Sequence, residues 1–422
     1  MTIANKQELE AVVRDVVAKQ KITDMHTHLY SPNFGDILLW GVDELLTYHY
    51  LVAEVMRFSD IPIDDFWALS KSEQADLIWK ELFIKHSPVS EACRGVLTTL
   101  QGLGLDLSTR DLAQYREAID SGDSFAQVKR VMELSSVDHI VMTNDPFDDR
   151  ERKIWLDGTR PDERFHAALR IDPLLNDYAN SKQLLREWGY AVGEQWSDGS
   201  AQEVKRFLKD WIERMKPLYM AVSLPPSFAY PEESDRGRII RDCILPLSKE
   251  TGIPFALMIG VKKRVNPGLG DAGDYLGKAD MDALEYLLAQ HPENKFIVTM
   301  LSRENQHELA VLGRKFRNLM IFGCWWFMNN PIIINEMTRM RLELLGLSVV
   351  PQHSDARVLD QLVYKWKHSK EIISDILIDK YNDIMRTGWQ VTAEEIRRDT
   401  ADLLRNNFWR FVGREDMVEY EE

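Results

Sequence analysis

Cysteine is scarce in this 422-residue chain: Cys93, Cys243 and Cys324 are the only three, odd in number and far apart. That pattern excludes a disulfide framework and a thiolate-based zinc site, and it points to a reducing cytoplasm. No apolar stretch reaches the roughly 18 uninterrupted residues of a bilayer-spanning helix, so no membrane partner is expected. The first ten residues lack the charged-then-apolar layout of a secretory signal, and an amphipathic helical pattern runs over 5–19 instead. Positive charge is in deficit, with 52 Lys and Arg against 67 Asp and Glu, a net charge of −15. A chain so acidic is a poor nonspecific ligand for nucleic acid. An anionic substrate would need a local cluster of arginines to overcome that repulsion. Internal repeats and low-complexity tracts are missing too.

What the chain does have is eight hydrophobic, β-branched runs. They start with Ile22 to Leu29 and His139 to Asp145, and continue with Phe165 to Asp172, Leu218 to Leu224 and Ile253 to Gly260. Lys295 to Leu301, Leu319 to Phe327 and Ser348 to Asp355 complete the set. Helical periodicity separates them, as over Asp235 to Glu250, Asp280 to Gln290, Glu304 to Arg317 and Pro331 to Leu345. Strict alternation of this kind implies an α/β fold with a parallel sheet, and eight strands suit closure into a (β/α)₈ TIM-type barrel. Residues 40–135 carry helical periodicity with few strand signals, so they are expected as a large helical insertion after strand 1. The tail from Val358 to Val412 is helical, and residues 1–422 are expected to form one barrel. The alternative is an open doubly wound sheet, which would not bring the first and last strands together.

In such barrels the site lies at the C-terminal ends of the strands. Residues collected there are His26, His28, Asp145, Arg170, Asp172, Arg303, Trp325, Trp326, Asp355 and Arg357. His26 and His28 are two apart on one strand and project together. With Asp355 from the eighth run they form a three-ligand set for one divalent metal, Zn²⁺ first, with an open position of the catalytic kind. The arginines, carboxylates and indoles suit a small anionic sugar, because guanidinium forks pair with carboxylates. His353 precedes Asp355 by two residues and is as readily a packing or supporting residue as a ligand. Tyr48, His49 and Tyr50, followed by Arg57, lie close enough in sequence to the first strand to cap the barrel mouth. The stretch Gly268-Leu269-Gly270-Asp271-Ala272-Gly273 spells G-x-G-x-x-G but lacks the strand–turn–helix context of a dinucleotide site. It is expected to be a flexible loop over the mouth, with Pro225 to Pro231 as another rim loop.

The motif Asp24-x-His26-x-His28-Leu29 resembles the first-strand signature of the amidohydrolase superfamily. An ordered set narrows the resemblance to the uronate isomerase family. Its members are His49-Tyr50 with Met56-Arg57, Thr143 to Pro146, Arg170-Ile171-Asp172, Phe322 to Phe327, Ser354 to Arg357 and Asn406-Asn407-Phe408. The resemblance runs from about residue 20 to 412, and the long helical insertion belongs to it. One departure is Met258-Ile259-Gly260, where the family commonly has His-Ile-Gly. A thioether cannot replace imidazole toward such a metal.

The resemblance implies an aldose–ketose isomerase acting on hexuronates: D-glucuronate with D-fructuronate, and D-galacturonate with D-tagaturonate. A proton would move between C2 and C1 through a cis-enediol. On this reading Asp355, His49, Tyr50 and Arg357 carry the chemistry. Arg170, Arg357, Trp325, Trp326 and, third among the arginines, Arg414 hold substrate. Tyr50 could act as a base only if nearby positive charge lowered its pKa from about 10. The rival is a metal-dependent hydrolase, such as a lactonase or deacetylase, though no strand-five or strand-six histidine supports it. A sugar-binding protein without catalysis would need neither the histidine pair nor Asp355. Assembly into a homo-oligomer is compatible with the sequence and fixed by no motif.

Overall fold

The computed structural model describes residues 2–120 and 122–420. Its strands are β1 (Ile22–Thr27), β2 (Val137–Asn144), β3 (Phe165–Arg170), β4 (Met220–Leu224), β5 (Phe255–Ile259), β6 (Val261–Lys262), β7 (Tyr275–Leu276), β8 (Phe296–Met300) and β9 (Leu319–Ile321). Seven of them form a curled parallel sheet in the order β1-β2-β3-β4-β5-β8-β9. The pair β6 and β7 is a separate antiparallel ribbon. The strands are buried nearly throughout because both faces are covered. On the inner face Met25, Val141, Ala168, Ala221, Ala256 and Ile297 share one cluster. On the outer face Ile140, Leu169, Met220, Val222, Leu257 and Val298 meet the helices.

The eighth run departs from expectation. Residues 348–356 form no regular strand, only a parallel bridge between Phe322 and Val350. Pro351 offers no backbone N–H, and Asp355 turns into the left-handed region at φ 53°. The segment nonetheless bonds to both edges of the sheet. Toward β9, Val350 N–H donates to Ile321 (3.2 Å) and Gly323 N–H to Val350 (2.8 Å). Toward β1, Asp355 N–H donates to His26 (3.2 Å) and His28 N–H to Ala356 (2.8 Å). The seventh run is also shorter than expected. Its strand ends at Ile321, because Gly323 turns the chain at φ +58° and a 3₁₀ turn follows at Trp326–Met328.

Helices occupy residues 42–135 from Val42–Leu46 to Ser124–Ser135, with an apolar core of their own. The N-terminal helix, Lys6–Lys19, starts where Asn5 accepts from Glu8 N–H, as the sequence suggests. A 26-residue helix, Gln361–Arg386, packs against both this helix and Glu91–Gly102. At the N-terminal end of the sheet Trp409 closes the interior, its indole donating to Thr23 Oγ1 at 2.8 Å. Among the described residues no helix is long and apolar enough to cross a membrane.

Candidate active site

The site begins with an irregularity in β1. Its register against β2 slips between Asp24 and Thr27, as a bulge would make it do. Without a slip, Met25 and His26 would face opposite sides. Here Met25 packs inside the sheet while His26 and His28 both line the cavity at the strand ends. Bulges beside active sites re-aim side chains in this way.

Each imidazole is then fixed in one tautomer by a hydroxyl. Tyr219 spends its only O–H on the Met25 carbonyl (2.7 Å), so it accepts from His26 Nδ1–H (3.1 Å). Thr143 donates its O–H to the Thr27 carbonyl (2.9 Å) and accepts from His28 Nδ1–H (3.0 Å). Both Nε2 atoms therefore present lone pairs, the form a metal binds. They face Oδ1 of Asp355 at 3.8 Å from His26 and 3.4 Å from His28. Burial, reinforced by His28 and Arg170 and opposed by Asp355, lowers the His26 pKa to about 3. Burial, then Arg357, sets His28 well below its ordinary value.

Two neutral lone pairs and a carboxylate oxygen converging without a proton between them call for a cation. His26 Nε2 and Asp355 Oδ1 are buried with no hydrogen-bond partner. The candidate ligand atoms of the three residues lie within 4.8 Å of one another. The donor set fits a divalent ion.

Around this trio the cavity is lined by His49, Arg170, Ser223, Met258, Lys263, Trp325, Trp326 and Arg357. Arg170, at the end of β3, ion-pairs with Asp172 at 3.0 Å. Asp145 stands nearby, its pKa raised to about 6 by burial against the opposing pull of Arg170. Arg357 bonds through Nη1 to Asp271 at 3.2 Å. His49 Nε2 is buried without a partner, and burial, then Arg357, pushes its pKa well below the ordinary value. Met258 occupies the end of β5, so no imidazole arises there.

The remaining expectations divide. Tyr50 packs edge-on against His49, ring centroids 4.6 Å apart, and stacks on Phe327. Burial raises its phenol well above the ordinary value, so the phenol by itself holds its proton. Arg303 points away to Glu336, and Arg57 is exposed. Arg414 pairs with Asp416 and lies over Trp409, at the end of the sheet opposite the cavity. His353 is buried edge-on against His26, ring centroids 5.3 Å apart, and packs on Gly323 rather than joining the ligand trio. The tract 268–273 is two 3₁₀ turns (Pro267–Gly273) kinked at Gly270 and carried between β6 and β7, with Trp67 Nε1–H donating to the Gly268 carbonyl (2.8 Å). It lies at the mouth of the cavity, where Asp271 meets Arg357.

Tyr219, Ser223 and Lys263 were missed from sequence. The first two are polar residues inside apolar runs, and Lys263 lies beyond its strand's end.

No protein-family model matches the chain, and no curated protein matches it. Solved structures do. A uronate isomerase from Bacillus halodurans is 69% identical over 99% of each chain, with a TM-score of 0.98. A uronate isomerase from Thermotoga maritima is 16% identical, covering 96% of this chain and 97% of its own, with a TM-score of 0.77. A glucuronate isomerase from Caulobacter crescentus is 14% identical over 98% of each chain, with a TM-score of 0.74. The latter two show the fold alone. The first likeness, in agreement with the ordered motifs from Asp24 to Phe408, shows that the chain belongs to the uronate isomerase family.

Proposed function

We propose that this site interconverts aldo- and keto-hexuronates, D-glucuronate with D-fructuronate and D-galacturonate with D-tagaturonate. The observation that carries the reading is the convergence of the His26, His28 and Asp355 donors on a cavity walled by Arg170, Arg357, Trp325 and Trp326. We assign Zn²⁺ to the trio, because two imidazoles and one carboxylate leave a position open. When bound, the ion supplies Lewis-acid stabilisation of substrate oxygens.

The side chains account for the rest. Arg170 binds the substrate carboxylate as a charge-assisted fork. Trp325 and Trp326 pack against the sugar's C–H surfaces. His49 is neutral and can take the anomeric O1 proton as the ring opens, returning one to O5. Asp355 removes the C2 proton, leaving a cis-enediolate, and delivers a proton to C1. Arg357 donates to O1 and O2 as charge gathers there, often the largest catalytic contribution. The O2–H proton must reach O1 for the ketose to form. Tyr50 begins protonated, so it would give a proton to O1 and take the one leaving O2.

The same reading extends to architecture. We take residues 348–356 as the eighth stave of a (β/α)₈ barrel spanning 1–422, with 40–135 inserted after its first strand. Hydrogen bonds from that segment to both β9 and β1 support it. Three buried free cysteines suit a reducing cytoplasm.

The test is a substrate panel. Metal-loaded protein is incubated with each hexuronate and assayed for keto sugar, beside a set of sugar lactones and N-acetyl sugars. Ketose formation from a hexuronate supports the isomerase. Hydrolysis of a lactone or amide with no ketose formed would replace it with the metal-dependent hydrolase.

A further inference from the structure

Three cations reach the cavity wall, and all three are built alike. Arg170 is held by Asp172 (3.0 Å), Arg357 by Asp271 (3.2 Å) and Lys263 by Asp274 (2.7 Å). Against Arg170, Lys263 and Arg357 the wall itself carries only the Asp355 carboxylate. Each cation is already paired with a carboxylate, so what the wall offers an anion is N–H donors held in place rather than net positive charge. The two arginines have a place in the proposed chemistry. Lys263 has none.

Its surroundings present it rather than leave it loose. Lys263 follows β6 directly, and the chain turns at Arg264 with φ 50°. Asp274, whose side chain is fully buried, accepts from both Lys263 Nζ and Arg264 N–H (2.8 Å). One of the three ammonium donors is thereby used and two remain. The ammonium sits 5.4 Å from the Trp326 ring, on the cavity side of the ribbon. The ribbon is pinned by the β6–β7 pairing and by the Trp67 bond to Gly268. Around the rim, Arg170 from β3, Ser223 from β4 and Lys263 after β5 follow one another, so an arc of donors leads away from the His26–His28–Asp355 trio.

We propose that Lys263 is a substrate-contacting residue: its ammonium, fixed by buried Asp274, donates to an oxygen of the hexuronate at the cavity mouth. This rests on the hexuronate reading above and adds to it a contact from the ribbon.

The experiment is steady-state kinetics on metal-loaded wild type, Lys263→Met, Lys263→Arg and the double variant Lys263→Met with Asp274→Asn. Removing the charge is expected to raise KM about tenfold or more while kcat changes less, as for one lost charge-assisted bond. Lys263→Arg is expected to recover most of that loss. The double variant separates contact from scaffolding. If Lys263 only neutralises Asp274, removing both restores wild-type kcat/KM, and that result overturns the proposal. The expected result is a double variant with wild-type unfolding midpoint and a KM still raised. A KM for Lys263→Met within twofold of wild type also overturns it. Should Lys263→Met alone fail to fold, the double variant, with no buried charge left unpaired, decides between contact and scaffold. In each case wild-type turnover of hexuronate shows that the functional reading stands apart from this one. Wild-type inactivity on hexuronates overturns both.

Discussion

The Asp355 carboxylate lies 3.4 Å from His28 Nε2, and the proton of that imidazole is on the far nitrogen, bonded to Thr143. His26 repeats the arrangement through Tyr219. Each hydroxyl is held as an acceptor because its own proton is spent on a β1 carbonyl. Tyr219→Phe removes one of these anchors without touching a ligand. Metal affinity is expected to fall about 10- to 100-fold, the usual effect of losing such a partner. Competition with a chromogenic chelator measures it, and an unchanged affinity contradicts the assignment of tautomers.

Arg170 is held ready by Asp172, so it binds substrate without first being ordered. Arg170→Met is expected to raise KM for both hexuronates by at least about tenfold, with the smaller effect on kcat. A loss confined to kcat would move Arg170 from the carboxylate to the reacting carbons.

At the opposite end of the sheet His166 Nε2 meets His139 Nδ1 at 3.1 Å, under Trp409. Burial lowers both pKa values from 6.5 to about 4, with the Arg405 charge adding at His139 and the neighbouring His139 adding at His166. The folded state therefore binds fewer protons than the unfolded chain between pH 4 and 6.5. Stability is complete above the unfolded pKa of 6.5 and is lost as pH falls through that window. Thermal midpoints are expected to drop from pH 7 to pH 5, and His166→Gln to flatten the slope relative to wild type. Parallel slopes for the two proteins would show that the pair does not contribute.

Gly323 faces His353 so closely that an added Cβ would fall 1.8 Å from Nδ1, and its φ is +58°. Gly323→Ala must displace a ring packed against His26. Overpacking and the left-handed backbone together are expected to cost about 3 kcal/mol. Urea unfolding checks this, and a stability within about 0.5 kcal/mol of wild type, ordinary for a neutral surface change, would contradict it.

His26 and His28 were legible because their spacing on an apolar run is a pattern that periodicity exposes. Asp355 was legible as the third candidate ligand because it closed a run that read as a strand. That run is irregular, however: Pro351 removes a ladder donor and Asp355 adopts positive φ, local events that a hydrophobic pattern does not register. Position at a strand end gives a residue's place but not its direction. Arg303 follows β8 as Arg170 ends β3, yet its guanidinium turns outward to Glu336. Arg414 stands beyond the last strand run and the last motif, and in this chain it sits at the far end of the sheet. The β1 bulge that swings Met25 and His26 to one side has no glycine or proline to announce it.

Transfer of the C2 proton is the centre of the account, and proton NMR in D₂O follows it directly. Metal-loaded protein is mixed with D-glucuronate, and in a second tube with D-galacturonate. The expected result is growth of the keto-acid resonances with deuterium entering at C1 of the ketose and at C2 of the recovered aldose. Spectra of both sugars that stay unchanged, with metal bound and the protein folded, would contradict it.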